Sequence, residues 1–242
     1  MSSSTVADSP IRAAERPSLG RPLLAVGVVL AFFGFHGTGG EWLDLQVQSW
    51  FWDGRGWLIP KRAGWFHQVA YVGPKVFLYG FALWLLWAMA FPARSPGWLG
   101  RRRAAYLFLS LAVISVACTQ LRAVTQMATP RDLAMYGALP PHAWEHRLLF
   151  DAKPAGYPSH AFPAGHASGG FALLALAFAW RTASARRKGI LLGCLYGGAM
   201  GLYQVARGEH FLSHTLATAA LAWLLAAVLA RWLRPAEVSS PS

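Results

Sequence analysis

The sequence predicts an all-α polytopic membrane protein, a bundle of six transmembrane helices, and two observations support this prediction. Hydrophobic residues fill 55% of the 242 positions, charged residues only 13%, and the chain has 12 tryptophans, which is a more apolar composition than that of ordinary soluble domains. Six runs lack Asp, Glu, Lys and Arg, and each approaches the roughly 20 helical residues that cross a bilayer. They cover residues 22–40, 76–93, 104–121, 154–180, 189–206 and 210–230.

The first and fourth runs need separate justification. The first follows a short polar N-terminus without an obvious cleavage site, so we expect a retained helix and not a removed signal peptide. The fourth run is longer than a span requires, and Pro154, Pro158 and Pro163 occupy its first part. Because proline is poorly tolerated inside a helix, we predict that this helix begins near Gly165 and ends near Trp180.

Basic residues predict the orientation of the bundle. They concentrate in the two tails and in the second and fourth links, at Arg12, Arg16, Arg21, Arg94, Arg101, Arg102, Arg103, Arg181, Arg186, Arg187, Lys188, Arg231 and Arg234. The positive-inside rule then puts both termini in the cytoplasm, as in a bacterial inner-membrane protein with its site in the periplasm. The net charge of +12 reflects this bias and attraction to anionic headgroups, so we expect no nucleic-acid partner.

We expect one membrane domain, residues 22–233, between cytoplasmic tails at residues 1–21 and 234–242. Cys118 and Cys194 fall inside predicted spans, where a thiol usually acts as a small apolar residue. The outer face receives residues 41–75, residues 122–164 and the turn at 207–209. Tryptophan and phenylalanine are frequent in the first of these loops, which fits either an interfacial anchoring belt or a lateral gate for a lipid.

Two short phrases on the outer face suggest chemistry on a phosphate. Pro163-Ala164-Gly165-His166 precedes a helix, whose free N–H groups and positive end suit a phosphate oxygen. His210 and His214 are spaced i and i+4 at the start of the last run, so they project from one helical face, and Arg207 lies just upstream. A base, a partner and an anion-binding guanidinium therefore converge there. A zinc site on the two histidines is an alternative that needs a further ligand.

In these phrases the chain resembles the type 2 phosphatidic acid phosphatase superfamily over roughly residues 70 to 230, as a divergent branch. The family signature is Lys-x6-Arg-Pro, Pro-Ser-Gly-His and Ser-Arg-x5-His-x3-Asp. The central phrase matches at residues 163–166 with alanine for serine. The first matches as Arg122, six residues and Thr129-Pro130, and the third as Tyr203-Gln204, five residues, His210, three residues and His214. The second basic residue and the aspartate of the family are thus replaced.

The resemblance implies a metal-independent membrane lipid phosphatase without a cofactor. His210 would attack phosphorus to form a phosphohistidine, and His166 would protonate the leaving lipid oxygen and then activate water. Arg122, Arg131, Arg207 and the backbone at Gly165 would bind the non-bridging oxygens. His214 replaces an aspartate and brings no negative charge, so activity is expected to decline at acidic pH. The missing carboxylate could instead come from Asp132, Asp151 or Glu209.

Two other functions remain open from sequence. The same phosphohistidine would serve a phosphotransferase that passes a phosphoryl group from a polyprenyl diphosphate to a second lipid. A catalytically impaired protein would only bind a lipid phosphate. The expected partners are the lipid-phosphate substrate and membrane lipids. Phosphatidic acid, phosphatidylglycerol phosphate, undecaprenyl diphosphate and a lipid A phosphate all fit, and no residue selects among them.

Overall fold

The computed structural model describes residues 16–61, 64–141 and 143–236. The predicted tails lie partly outside these residues, at 1–15 and 237–242. Within the described residues the chain is helical and contains no strand, only two isolated β-bridges, which confirms the all-α class. The helices are α1 (Gly20–Gly34), α2 (Gly40–Ser49), α3 (Gly64–Ala90), α4 (Arg101–Thr125), α5 (Gly165–Ala179), α6 (Ala183–Ala206) and α7 (Leu212–Leu233).

Four of the described helices, α3, α4, α6 and α7, are long and apolar enough to cross a membrane, which fits an integral membrane protein. The prediction of six spans is not confirmed, because α1 and α5 are apolar but shorter. α1 ends at Gly34 and not near Gly40, since Gly37 and Gly39 adopt positive φ in the following turn. α5 begins at Gly165 and ends at Ala179, within one residue of the predicted ends.

α3 contains a π-helical turn at Gln68–Val72, just before Pro74. Proline lacks the N–H that would bond to the carbonyl four residues earlier, and a π turn relieves such a break in the ladder. His67, Tyr71 and Lys75, spaced four residues apart, contact one another along one side of the helix. The His67 ring stacks on Tyr71 at 4.7 Å between centroids, and His67 Nδ1 lies 3.0 Å from the Tyr203 hydroxyl on α6.

α5 lies at the centre of the bundle and packs against α4, α6 and α7. α6 carries four glycines spaced four residues apart, at Gly189, Gly193, Gly197 and Gly201, and its contact with α5 depends on the first three. A Cβ on any of the first three would lie under 3.0 Å from α5 atoms, and one on Gly201 would lie 2.3 Å from Thr215 of α7. Such stripes of small residues let membrane helices approach closely.

The loops that follow α2, α4 and α6 fold into a cap over one end of the helices. Trp52 and Trp57 of the first loop, both partly buried, pack with Tyr136 against the small core of this cap. Trp42, Trp50 and Trp65 are exposed and remain available to an interface. Of the two cysteines, both free, Cys118 is buried in the core and Cys194 is exposed on the bundle surface.

Candidate active site

The three predicted histidines lie side by side at the end of the bundle that the cap covers. The His166 and His210 rings are 5.7 Å apart between centroids, and the His210 and His214 rings are also 5.7 Å apart. His210 is 2% exposed and His214 is fully buried. The structure therefore brings together the two phrases singled out in the sequence, one where α5 begins and the other at and just before the start of α7.

Backbone hydrogen bonds fix the start of α5 against α7. The Ala164 N–H donates to the His214 carbonyl at 3.1 Å, and the Thr218 hydroxyl donates to the Ala164 carbonyl at 3.3 Å. Because Ala164 is two residues from His166, these bonds hold His166 in register with the histidines of α7. The row of imidazoles is thus a property of the helix packing and not of a mobile loop.

Burial lowers the pKa of His210 well below its ordinary value, and the neighbouring His214 and His166 lower it further. His210 is therefore neutral over the physiological pH range, and one of its ring nitrogens keeps a free lone pair. A neutral imidazole with an available lone pair is what a nucleophile requires.

Arg122 lies where the phosphate site was predicted. A Cβ placed on Gly165 would lie 3.2 Å from Arg122 Nη1 and 3.3 Å from its Cζ, so the guanidinium lies against the backbone at the start of α5. Arg122 Nε is buried without a hydrogen-bond partner among the described residues. A guanidinium beside the free N–H groups of a helix end is suited to bind phosphate oxygens.

Lys75 and Tyr71 of α3 complete the surroundings of His166, and the sequence prediction missed both. Lys75 Nζ donates to the Tyr71 hydroxyl at 2.5 Å, and the same hydroxyl lies 2.9 Å from His166 Nδ1. An ammonium group can only donate, so the Tyr71 hydroxyl accepts from Lys75 and donates to His166 Nδ1. Neutral His166 then carries its proton on Nε2. The run that contains α3 was taken to begin at Val76, which is why Lys75 was passed over.

Arg207 and Arg131, the other predicted phosphate ligands, are placed differently. Arg207 is 6% exposed, stacks near the Tyr203 ring and acts electrostatically on His166. Its Nη2 donates to the Lys61 carbonyl at 2.9 Å. Arg131 instead braces the cap: its side chain donates to the carbonyls of Arg207 and Ile59. The geometry therefore favours Lys75, Arg122 and Arg207 as the cations beside His166.

The carboxylates considered as replacements for the family aspartate all have other partners. Asp132 accepts from the Thr129 N–H and hydroxyl and pairs with His160. Asp151 contacts His36 and accepts from the Leu148 N–H, and Glu209 lies near the guanidinium groups of Arg131 and Arg207.

Gln204, where the family has arginine, is 1% exposed, and neither the nitrogen nor the oxygen of its side-chain amide has a hydrogen-bond partner within the described structure.

An apolar groove runs from His166 along the faces of α3 and α4. It has a volume of about 430 Å³, and its polar end holds Lys75, Arg122 and His166. Its remaining length is lined mainly by Leu78, Ala82, Phe108, Leu111, Ala112 and Val116. Fourteen residues of α4 separate Arg122 from Phe108, which corresponds to about 21 Å at a rise of about 1.5 Å per residue. The groove therefore has a cationic head and a long apolar tail.

Metal ligation has little support. In the ranges that the structure covers, no group of three or more His, Cys, Asp or Glu side chains is arranged to hold a metal ion. His210 and His214 are neighbours, but the third ligand that zinc requires is not found beside them in those ranges.

Comparison with known proteins gives one family. The family model described as the PAP2 superfamily matches residues 103–237, which include Arg122 and all three site histidines. No curated protein and no solved structure matches the chain.

Proposed function

Because this chain belongs to the PAP2 superfamily, whose members are generally phosphatases, we propose that it is an integral membrane lipid-phosphate phosphatase. It hydrolyses a phosphomonoester or diphosphate headgroup at the outer face of the membrane through a phosphohistidine on His210. The observation that carries the proposal is the groove, because its cations and His166 lie at the end of an apolar channel along α3 and α4.

A lipid phosphate fits this arrangement in both parts. The acyl or prenyl chain lies between α3 and α4, and the headgroup lies between Lys75, Arg122 and the start of α5. Phosphoryl transfer depends mainly on alignment and on stabilisation of charge at the non-bridging oxygens. Lys75, Arg122 and the N–H groups at the start of α5 supply this stabilisation. Arg207 adds a third positive charge close to His166.

In the first step the lone pair of neutral His210 attacks phosphorus, and the bond from phosphorus to the lipid oxygen breaks. His166 gives its Nε2 proton to that oxygen while the Tyr71 hydroxyl passes its own proton to Nδ1 and Lys75 replaces it, so the ring stays neutral and the lipid alcohol leaves. The hydrogen bond from Tyr71 to His166 Nδ1, supported by Lys75, steadies the ring and favours the starting tautomer, with the proton on Nε2. In the second step His166 takes a proton from water at Nε2 and returns its Nδ1 proton to Tyr71. The water oxygen attacks phosphorus, the bond to His210 breaks, and phosphate is released.

The positive-inside pattern of basic residues supports an orientation with both termini in the cytoplasm. The site then faces the periplasm of a bacterial inner membrane, where lipid headgroups of the outer leaflet reach it. The exposed Trp42, Trp50 and Trp65 suit the interfacial zone on that side.

A second candidate, lipid phosphotransfer, is favoured by a second apolar groove of about 500 Å³. This groove lies between α1, α4 and α7, and Leu121, Val124, Phe162 and Pro163 line its inner wall. Arg122 belongs to the first groove and Leu121 to the second, so the two meet around the same turn of α4. A donor lipid in one groove and an acceptor in the other would use the same phosphohistidine.

Phosphate release from a panel of lipid phosphates tests the proposal. The purified protein, in detergent without divalent metal, should release phosphate from at least one of them, and His210→Ala should abolish the release. His160→Ala removes a half-exposed histidine of the cap and serves as the matched control, with activity near wild type. Release by His210→Ala at the wild-type rate would contradict the proposal. Transfer of phosphate only when an acceptor lipid is supplied would support the phosphotransferase.

A further inference from the structure

His214 occupies the position where the family has an aspartate, and its surroundings differ from what such a histidine needs. It is fully buried, and neither its Nδ1 nor its Nε2 makes a hydrogen bond of ordinary geometry among the described residues, although the backbone of Ala161 lies close to the ring. A buried polar group without a partner is costly and calls for an explanation. The same is true of His210, whose ring lies on one side of His214.

His214 also lines a small cavity, and a buried carboxyl group lies in the wall of the same cavity. The cavity measures about 10 Å³, room for about one water molecule. Its polar lining consists of Asp44, His146, Ser213 and His214, and Phe162 and Phe211 close it. Asp44 comes from α2, far from the family phrases in sequence, and it is 4% exposed.

Asp44 also holds the first turn of α7. The Ser213 N–H donates to Asp44 Oδ1 at 2.8 Å, so the carboxyl group lies at the positive end of the helix that carries His214. The groups facing Asp44 are Tyr136, Ser213, and the two imidazoles of the cavity. Of these imidazoles, His146 forms a hydrogen bond with Glu41, with 3.2 Å between Nδ1 and Oε1.

We propose that Asp44, acting through His214, supplies to His210 the negative charge that the family obtains from the aspartate its signature has at position 214. This inference rests on the proposed phosphatase function. Asp44 and His214 are positioning residues, and His210 remains the group that reacts. The order across the site is Asp44, the cavity, His214, His210 and then substrate. Attack by His210 makes its ring cationic, and a carboxylate two groups away stabilises that charge and orients both rings.

The charge of Asp44 changes within the working range of pH. Burial raises the pKa of Asp44 to about 7, although hydrogen bonds from Ser213 oppose the rise. His210 stays neutral there, because its own pKa is lowered. The rate of hydrolysis should therefore increase with pH through about 7 as Asp44 loses its proton, and this limb should vanish in Asp44→Asn.

A mutant cycle tests the proposal. Asp44→Asn keeps an oxygen that accepts from Ser213 but removes the charge, and kcat should fall at least about tenfold, as when an outer partner of an active imidazole is removed. His214→Asp restores the family residue, so adding Asp44→Asn to it should change kcat by less than about twofold. The unequal effect in the two backgrounds is the non-additivity expected when Asp44 acts through His214. Asp53→Asn is the matched control, because Asp53 accepts backbone N–H groups in an exposed turn.

The outcomes are distinct. Asp44→Asn with the activity and pH profile of Asp53→Asn would overturn the proposal, and so would an equal loss in both backgrounds, which marks a structural role. A second readout does not need turnover: the ¹⁵N spectrum of histidine-labelled protein should show a change in the His214 ring nitrogens in Asp44→Asn. An unchanged His214 spectrum would also overturn it. If the wild type releases no phosphate but the His214 nitrogen signals still change in Asp44→Asn, the phosphatase function is rejected. The coupling between Asp44 and His214 would then still stand.

Discussion

Replacing Gly197 by alanine should displace His166 although the two residues are on different helices. A Cβ at Gly197 would lie 2.4 Å from Cγ and 2.7 Å from the backbone nitrogen of Phe171. The nitrogen belongs to the helix itself, so a side-chain rotation cannot relieve that contact. Carbon contacts require about 3.5 Å, and α5 must therefore move away from α6 by about 1 Å.

This displacement determines the expected magnitudes. Overpacking of this kind typically costs about 1–3 kcal/mol, which corresponds to a fall in Tm of roughly 5 °C for a chain of this size. His166 lies on the same helix as Phe171, five residues away. A shift of about 1 Å in a catalytic group can reduce the rate about 100-fold, so the activity should fall more than the stability suggests.

Gly198→Ala provides the matched control, because a Cβ at Gly198 meets no atom within 4 Å. Both substitutions add the same methyl group to the same helix, so their difference isolates the contact with α5. Thermal unfolding in detergent and phosphate release would be measured on both. Equal Tm and equal activity for Gly197→Ala and Gly198→Ala would refute the close packing of α5 on α6.

Three further predictions concern the groove and the cap. Lys75→Gln removes a cation beside the headgroup and should lower kcat/KM about tenfold or more; an unchanged value would remove Lys75 from the site. Ala112→Trp fills the groove and should raise KM for a long-chain lipid phosphate but not for a soluble short-chain phosphate, and equal effects on both would contradict the groove as chain site. Pairing with Asp132 raises the pKa of His160, so the stability that this pair contributes is present below pH about 6.5 and is lost as pH rises through the raised value. His160→Asn should therefore lower Tm at pH 5.5 and leave it unchanged at pH 8.5, and a fall that is equal at both pH values would count against the pair.

The sequence predicted those parts of the site that depend on local pattern. The i, i+4 spacing placed His210 and His214 together, and the prolines before Gly165 located the start of α5 to the residue. Charge-free runs identified the long apolar helices. The six spans that these runs predict are not confirmed. α1 ends at a turn with positive φ, and α5 is shorter than a bilayer requires.

Other parts of the site depend on long-range packing, which single-sequence patterns do not encode. Lys75 and Tyr71 reach His166 through the packing of α3 beside α5, and no pattern links Asp44 of α2 to the first turn of α7. The glycine stripe of α6 was visible in the sequence: Gly189, Gly193, Gly197 and Gly201 repeat every four residues. Such a repeat in an apolar helix predicts a close helix contact and would have pointed to the packing of α5.

Trapping of the covalent intermediate tests the central claim most directly. The protein would be mixed with a lipid phosphate carrying labelled phosphorus, quenched in base, which preserves phosphohistidine, and digested for peptide mapping. The account predicts label on the peptide that contains His210, loss of the label in acid, and no label in His210→Asn. Rapid phosphate release by wild type and His210→Asn alike, with label on neither, would contradict it.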